Sequence, residues 1–252
     1  MAKKNKQKNG NNKVVPQLRE LQDLKTATIL KARESWSMLS IMSEFIESTE
    51  VLSALDPAVT IFGSARTKKD SPHYKKCVEV ARRLSDAGFA VVSGGGPGIM
   101  TAANRGAYDG MSPSVGLNIS LPNEQRANEW QNISVGYRHF FSRKVALVKY
   151  ADAFVLFPGG FGTMDELMEV LTLMQTGKTR KAPIVLVGSE FWTGLFEWVK
   201  AQILANGYIN KDDLNLVKIC DEPKEVVKVI LDFYETMPVA LSEEERLKRL
   251  YL

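Results

Sequence analysis

The residues able to do chemistry fall in two glycine-rich turns and one short charged helix. Ser93-Gly94-Gly95-Gly96-Pro97-Gly98-Ile99-Met100 follows the apolar run Phe89-Ala90-Val91-Val92 and opens onto Thr101-Ala102-Ala103. Glycines at a strand end let backbone N–H groups approach an anion, and the helix that follows adds partial positive charge at its start. Pro158-Gly159-Gly160-Phe161-Gly162-Thr163-Met164-Asp165-Glu166 repeats the design, with three glycines in four positions. Two such turns on neighbouring strands would hold one small anionic ligand from two sides.

The end of the second turn has two readings. Thr163 and Glu166 have the spacing of a capping box, in which Thr bonds the third helical amide and Glu reaches back. Three glycines exceed what a cap needs, however, and Asp165 beside Glu166 places acid at the mouth of an anion site, where it is costly unless it acts on something. Glu166 is therefore read as a candidate catalytic carboxylate. Upstream, Arg143 in Phe140-Phe141-Ser142-Arg143-Lys144-Val145-Ala146-Leu147 has Phe140, Ala146 and Leu147 on its own helical face. A guanidinium there must reach a partner, either in a structural pairing or in the pocket that holds Glu166.

Other chemistries find little support. His73 and His139 are the two histidines, and neither has a second ligand at metal spacing. No metal site is expected. An NAD fingerprint would place an acid at the tip of the next strand to hold ribose hydroxyls, but Ser114 to Leu121 is followed by Pro122 and Asn123 before Glu124.

The elements that must position these residues can be read from periodicity. Short β-branched and aromatic runs at 58–62, 89–92, 114–121, 153–157 and 183–187 alternate with helical patterns at 72–87, 98–109, 138–150, 163–176 and 190–205. An extended stretch near 215–220 and a helix at 223–235 follow. Such alternation predicts an α/β protein with a parallel sheet flanked by helices. Its ligand site lies beyond the carboxyl ends of the strands, where strand order reverses. Before the sheet, Leu18, Leu21, Leu24, Ile29, Trp36, Leu39, Met42, Phe45 and Ile46 predict one long or two shorter helices.

Taken together, the motifs resemble the Lonely Guy (LOG) family, cytokinin riboside 5′-monophosphate phosphoribohydrolases and related nucleotide 5′-monophosphate nucleosidases. Residues 158–166 match the family's PGGxGTxxE signature, Arg143-Lys144 falls at the expected place upstream, and Gly94, Gly95, Gly96, Gly98 and Met100 resemble its GGGxxGxM element. The similarity runs from about Ala58 to about Tyr208. It implies a Rossmann-like fold, no cofactor, and a homodimer or higher homo-oligomer with sites near the subunit interface.

The resemblance also implies catalysis by Arg143 and Glu166. Carried over position by position, Lys144, Gly159, Gly160, Gly162, Thr163, Asp165, Gly95, Gly96, Gly98 and Met100 become substrate-binding residues, with Ser64 and Glu124 as further lining positions. The chain departs from plant-type members in two respects. Their arginine follows a Met-His-acid sequence where this chain has Phe140-Phe141-Ser142, and the short plant-type form lacks the extension at 16–55. The implied substrate is a nucleoside 5′-monophosphate of the AMP or cytokinin riboside type. The alternative is a non-catalytic nucleotide or molybdenum-cofactor binder.

Composition agrees with a soluble enzyme rather than a nucleic-acid or membrane protein. The 252 residues are 44% hydrophobic and 25% charged, ordinary for a globular chain. The net charge of +4 comes from Lys3, Lys4, Lys6, Lys8 and Lys13, without which the rest carries −1. The expected organisation is a disordered basic tail at 1–13, a helical extension at 14–56, a nucleotide-binding catalytic domain at 57–236 and a C-terminal helical tail at 237–252. Cys77 and Cys220 lie far apart, and no apolar run approaches the ~20 residues that span a bilayer. A cytoplasmic location is expected.

Overall fold

The structure, a computed structural model, describes residues 24–55, 57–121 and 127–236. The expected tails at 1–13 and 237–252, and Glu124, lie outside the described residues. Two compact units divide between Ser40 and Ile41. The first, as described, is the amino-terminal part of helix α1 (Leu24–Leu52), one continuous helix through a stretch free of glycine and proline.

The second unit contains the remainder of α1 and an α/β body. Its elements run β1 (Ala58–Phe62), α2 (Pro72–Asp86), β2 (Ala90–Ser93), α3 (Ile99–Tyr108), β3 (Ser114–Ile119), β4 (Ile133–Tyr137), α4 (Phe140–Lys149), β5 (Ala153–Leu156), α5 (Phe161–Gln175), β6 (Ile184–Val187), α6 (Ser189–Trp198), β7 (Val217–Cys220) and α7 (Pro223–Glu235). The strands form one parallel sheet in the order β4-β3-β2-β1-β5-β6-β7.

Alternation along each strand sorts the core into two layers. Val59, Ile61, Val91, Val155 and Val185 face α2, α3 and α7 through Val80, Leu84, Ala102, Ala103, Val226 and Ile230. Phe62, Val92, Leu117, Leu156 and Leu186 face the opposite way, toward Leu147 of α4, Leu167 and Val170 of α5 and Trp192 of α6. Both faces of the central strands are thus covered, as continuous apolar runs require.

Asp152 fixes the start of this frame. Its Oδ2 accepts the Ala58 N–H at 2.7 Å, its own N–H donates to Ala58 O, and Arg180 pairs with its other oxygen. Asp152 is 4% exposed, and breaking a buried pair of this kind costs about 3–5 kcal/mol.

Three expectations need correction. The two glycine turns do not follow neighbouring strands: β2 and β5 lie on either side of β1. The helix expected at 190–205 ends at Trp198, and Val199–Leu204 continue as a π-helix. Strand β4 was not foreseen, because Ile133–Tyr137 is short, carries a glycine and forms a sheet edge with alternate residues exposed.

The placement of β1 creates the site. From β1 the chain winds outward through α2 to β2, while from β5 it winds the other way through α5 to β6. The helices leave on opposite faces, so a crevice opens beyond the carboxyl ends of β1 and β5.

Candidate active site

Main-chain hydrogen bonds join the loops around this crevice. Ser64 follows β1; its N–H donates to Pro158 O at 3.1 Å, and its carbonyl accepts the Ile99 N–H at 3.0 Å. One residue thereby ties the first strand to both glycine turns. Gly98 packs so closely on Ser64 and Ala65 that any Cβ would overlap their backbone, and its φ of +66° suits glycine alone.

A cavity of about 750 Å³ occupies the crevice, within the range of small-ligand sites. Ser64, Gly94, Met100, Arg143, Gly159, Gly160, Gly162, Thr163, Asp165 and Glu166 line it. The structure therefore brings together both turns, the arginine and the glutamate. Gly95, Gly96 and Gly98 are not among the lining residues, and Lys144 reaches the site only through its ion pairs. Arg66, which sequence reasoning passed over, also lines the cavity. Its only signal was its place just beyond the first strand.

The two turns differ in what they can bind. In the first, Gly95 O accepts from Asn128 N–H (2.9 Å), Asn128 Nδ2 (2.9 Å) and Gln131 Nε2 (3.0 Å), and Gly96 O accepts from Thr101 Oγ1 (2.9 Å). A polar network from the segment before β4 thus locks the turn in shape. In the second, α5 starts at Phe161 with Gly160 in extended backbone as its cap and no side-chain capping bond. The capping box is not formed. Phe161 is 96% exposed at the rim, and no cap side chain covers the opening amides and positive end of α5.

Arg143 and Glu166 face the cavity from successive helices. Arg143 donates from Nε to Leu117 O at 2.8 Å and from Nη2 to Gly94 O at 3.0 Å. These two bonds use part of its five-donor fork and fix its plane. Burial pulls its pKa down, with Glu166 and, once ionised, Tyr137 opposing; a guanidinium stays charged regardless.

Glu166 Oε2 is buried and has no hydrogen-bond partner. Burial raises its pKa to about 7, Glu169 and Asp165 add to the rise, and Lys144 and Arg143 oppose it. Near neutrality this carboxyl can hold or release a proton, as general acid–base catalysis requires.

Lys144 completes the electrostatics. Its ammonium lies 2.9 Å from Asp165 Oδ2 and 3.1 Å from Glu169 Oε2. Burial pulls its pKa down, but the two acids together hold it above the ordinary value.

The fold and site define a Rossmann-like α/β protein with a carboxylate and a guanidinium in a crevice at the switch point of its sheet. A family model described as "Possible lysine decarboxylase" matches residues 100–230, more than half of the chain, and the chain belongs to that family, the Lonely Guy family. The chain is 27% identical over 190 residues to a cytokinin riboside 5′-monophosphate phosphoribohydrolase of Oryza sativa subsp. japonica, covering 73% of this chain and 76% of that one. It is 27% identical over 176 residues to an Arabidopsis thaliana protein of the same named activity, covering 68% and 80%.

Solved structures with the same fold include the molybdenum cofactor binding protein of Rippkaea orientalis (TM-score 0.54, 18% identity, 71% of this chain and 97% of that one). The molybdenum cofactor carrier protein of Chlamydomonas reinhardtii is similar as well (TM-score 0.53, 17% identity, 71% and 99%).

The family's description points to pyridoxal phosphate chemistry, and the residues do not fit it. That cofactor needs an amine free to condense. Among the described residues no lysine lines the cavity, and Lys144 is held as an ammonium by two acids.

Proposed function

We propose that the protein hydrolyses the N-glycosidic bond of nucleoside 5′-monophosphates, of the AMP or cytokinin riboside type, to free base and ribose 5-phosphate. The observation that carries this reading is the buried Oε2 of Glu166, without a hydrogen-bond partner, in one cavity with Arg143. Cleavage of a ribosyl–base bond passes through an oxocarbenium-like state, which needs negative charge beside the anomeric carbon and an oriented water. Glu166 supplies both: ionised, it stabilises the developing cation and accepts a proton from water, whose oxygen bonds to the anomeric carbon as the glycosidic electron pair leaves with the base. The proton taken up by Glu166 then passes, directly or through solvent, to the departed base, which restores the carboxylate. Arg143, already fixed in plane by two carbonyls, donates to the departing base or to the phosphate.

The 5′-phosphate sits at the start of α5, against the amides of Gly160, Gly162 and Thr163, with Arg66 as countercharge. Phosphate binding there positions the ribose against Glu166. Lys144 and Asp165 act as a pair at the rim, and residues 57–236 form the catalytic domain.

The names of the plant relatives support this activity. The homo-oligomer is supported by apolar side chains left open in the protomer, with Met42 at 57% and Ile46 at 58% exposure. A reducing compartment, the cytoplasm, suits two free and buried cysteines, and no described helix is long and apolar enough to cross a membrane.

Incubating purified protein with a panel of nucleoside monophosphates and separating the products tests the proposal. Free base and ribose 5-phosphate are expected, with adenosine a far poorer substrate than AMP. Tight nucleotide binding without turnover would instead favour a carrier.

A further inference from the structure

We propose that Glu44, delivered by α1 from outside the α/β sheet, is a positioning residue that sets the start of α4 and through it the pose of Arg143. The inference rests on the catalytic role given to Arg143 above.

The face that α1 turns toward the body is unusual. Residues 44, 48 and 52 share one side at four-residue spacing, and Glu44, Ser48 and Leu52 are 6%, 2% and 2% exposed. Met42, Phe45 and Ile46 of the same stretch stay at the surface. A helix docked only to bury apolar area would place these the other way round. What the buried polar positions do is grip one short segment. Ser48 Oγ bonds Tyr137 Oη at 2.7 Å at the end of β4.

Glu44 then closes the junction from β4 to α4. Its Oε1 accepts the Arg138 N–H at 2.9 Å and faces His139 Nδ1 at 3.1 Å, while its Oε2 accepts a short hydrogen bond from Ser142 Oγ. An ionised carboxylate only accepts, so in this contact His139 Nδ1 is the donor. His139 is the N-cap residue of α4 and makes no side-chain capping bond of its own. A carboxylate from a distant helix therefore grips the residue before the cap, the cap residue and the first turn of α4, and its charge complements the helix dipole.

Burial works against ionising this carboxyl, yet the bonds from Ser142, Arg138 and His139 hold it below the ordinary carboxylate value. Glu44 is thus a fixed negative charge with both oxygens engaged. Ser142 is adjacent to Arg143, so the register imposed on Ser142 is passed on within a single peptide unit. The guanidinium then meets Leu117 O in β3 and Gly94 O in the turn after β2, two acceptors that one helix pose must satisfy together.

The experiment compares Glu44→Ala, Glu44→Gln, Ser142→Ala and Arg143→Ala, with the double variant of Glu44→Ala and Arg143→Ala, in the full chain. Glu44→Ala is expected to lower kcat by about 100-fold, the scale of a ~1 Å misplacement, with KM changed less than about 3-fold. Glu44→Gln, which still accepts from Arg138 and can donate to Ser142 Oγ, is expected to restore activity to within about 3-fold. In the Arg143→Ala background, Glu44→Ala is expected to lower kcat no further while lowering Tm as it does alone.

A lowered Tm with unchanged kcat per folded molecule would overturn the inference, as would an undiminished effect without Arg143. If Glu44→Ala does not fold, Ser142→Ala carries the same test with a smaller expected loss, about 3–10-fold.

A second readout is independent of turnover. The Arg143 Nε–H, bonded to Leu117 O, is expected to exchange slowly with water by NMR and to lose that protection in Glu44→Ala and in part in Ser142→Ala. Protection unchanged in both overturns the role of Glu44 whatever the enzyme does. Wild-type protein inert on every monophosphate, with protection lost in the variants, would sink the nucleosidase reading and leave Glu44 as the residue that places Arg143.

Discussion

Arg143 and Glu166 line the same cavity from successive helices, and among the described residues no direct ion pair joins them. Each is held by something else. Arg143 is anchored on two backbone carbonyls, while the Oε2 of Glu166 is buried without a hydrogen-bond partner. A structural ion pair would have collapsed the two charges onto one another. Kept apart, they can act on different atoms of one ligand, and that separation sets the predictions that follow.

Replacing Glu166 by Gln is expected to lower kcat by about 10²–10⁴-fold, the usual contribution of a positioned acid or base. The effect on stability has a definite sign. With its pKa raised from 4.5 to about 7 in the fold, the carboxyl binds its proton more tightly folded than unfolded. Wild-type stability therefore falls as pH rises from about 4.5 to about 7, then levels. Glu166→Gln lacks that penalty, so it is expected to melt at or above wild type at pH 8, with the gap closing toward pH 4.5. Melting curves of both proteins at pH 5 and pH 8 check this. A variant less stable at pH 8 would show that Glu166 serves the helix rather than the ligand.

The glycines of the second turn are expected to divide by what surrounds them. A Cβ at Gly160 meets nothing within 4 Å, whereas one at Gly159 would overlap Thr163. Gly160→Ala should therefore keep wild-type Tm and raise KM for AMP by about 10-fold, because the methyl enters the space where the proposed function puts the phosphate. Gly159→Ala should lower Tm as well. Thermal melts beside steady-state kinetics separate the two, and equal KM in Gly160→Ala and wild type would move the phosphate away from this turn.

Gly94 serves another purpose. A Cβ there would overlap the Nη2 of Arg143 and crowd Met100 Sδ, so Gly94→Ala must push the guanidinium off Gly94 O. The expected result is a fall in kcat approaching that of Arg143→Ala, with affinity for a phosphate-bearing product such as ribose 5-phosphate retained. Loss of product binding together with kcat would place Arg143 on the phosphate rather than on the base.

How much of this was legible beforehand depended on whether the signal was local. The runs that became β1, β5 and β6 announced themselves because strands buried on both faces are continuously apolar. The glycine turns were legible as well, since their geometry is set within a few residues. The capping-box spacing, set aside in the sequence for a functional Glu166, forms no cap for a positional reason: α5 begins at Phe161, which puts Thr163 in its third helical position and Glu166 nearly a turn further on, out of reach of the cap.

Two other features left no local trace. The helical pattern at 39–46 showed that a helix exists, but Met42 and Ile46 are exposed and Glu44 is the residue turned inward. Its partner Ser142 lies 98 residues away, a distance over which spacing carries no information. Gly95 and Gly96 looked like anion contacts, and only the fold shows their carbonyls tied by Asn128 and Gln131.

The charges beside Glu166 provide the last prediction, because two of them act on it in opposite directions. Glu169 raises its pKa and Lys144 lowers it, while the two are themselves paired at 3.1 Å. If catalysis requires Glu166 ionised, kcat/KM should climb through about pH 7 and level above, since that profile reports the free enzyme. Lys144→Met removes the favourable cation, so the limb should move to higher pH. Glu169→Gln removes the unfavourable anion, so the limb should move to lower pH. Neither residue lines the cavity, and the plateau rates should change much less than the midpoints. Rate profiles from pH 5 to pH 9 on the three proteins decide it. Midpoints that move together, or a limb that stays fixed in both variants, would mean that the titrating group is not Glu166.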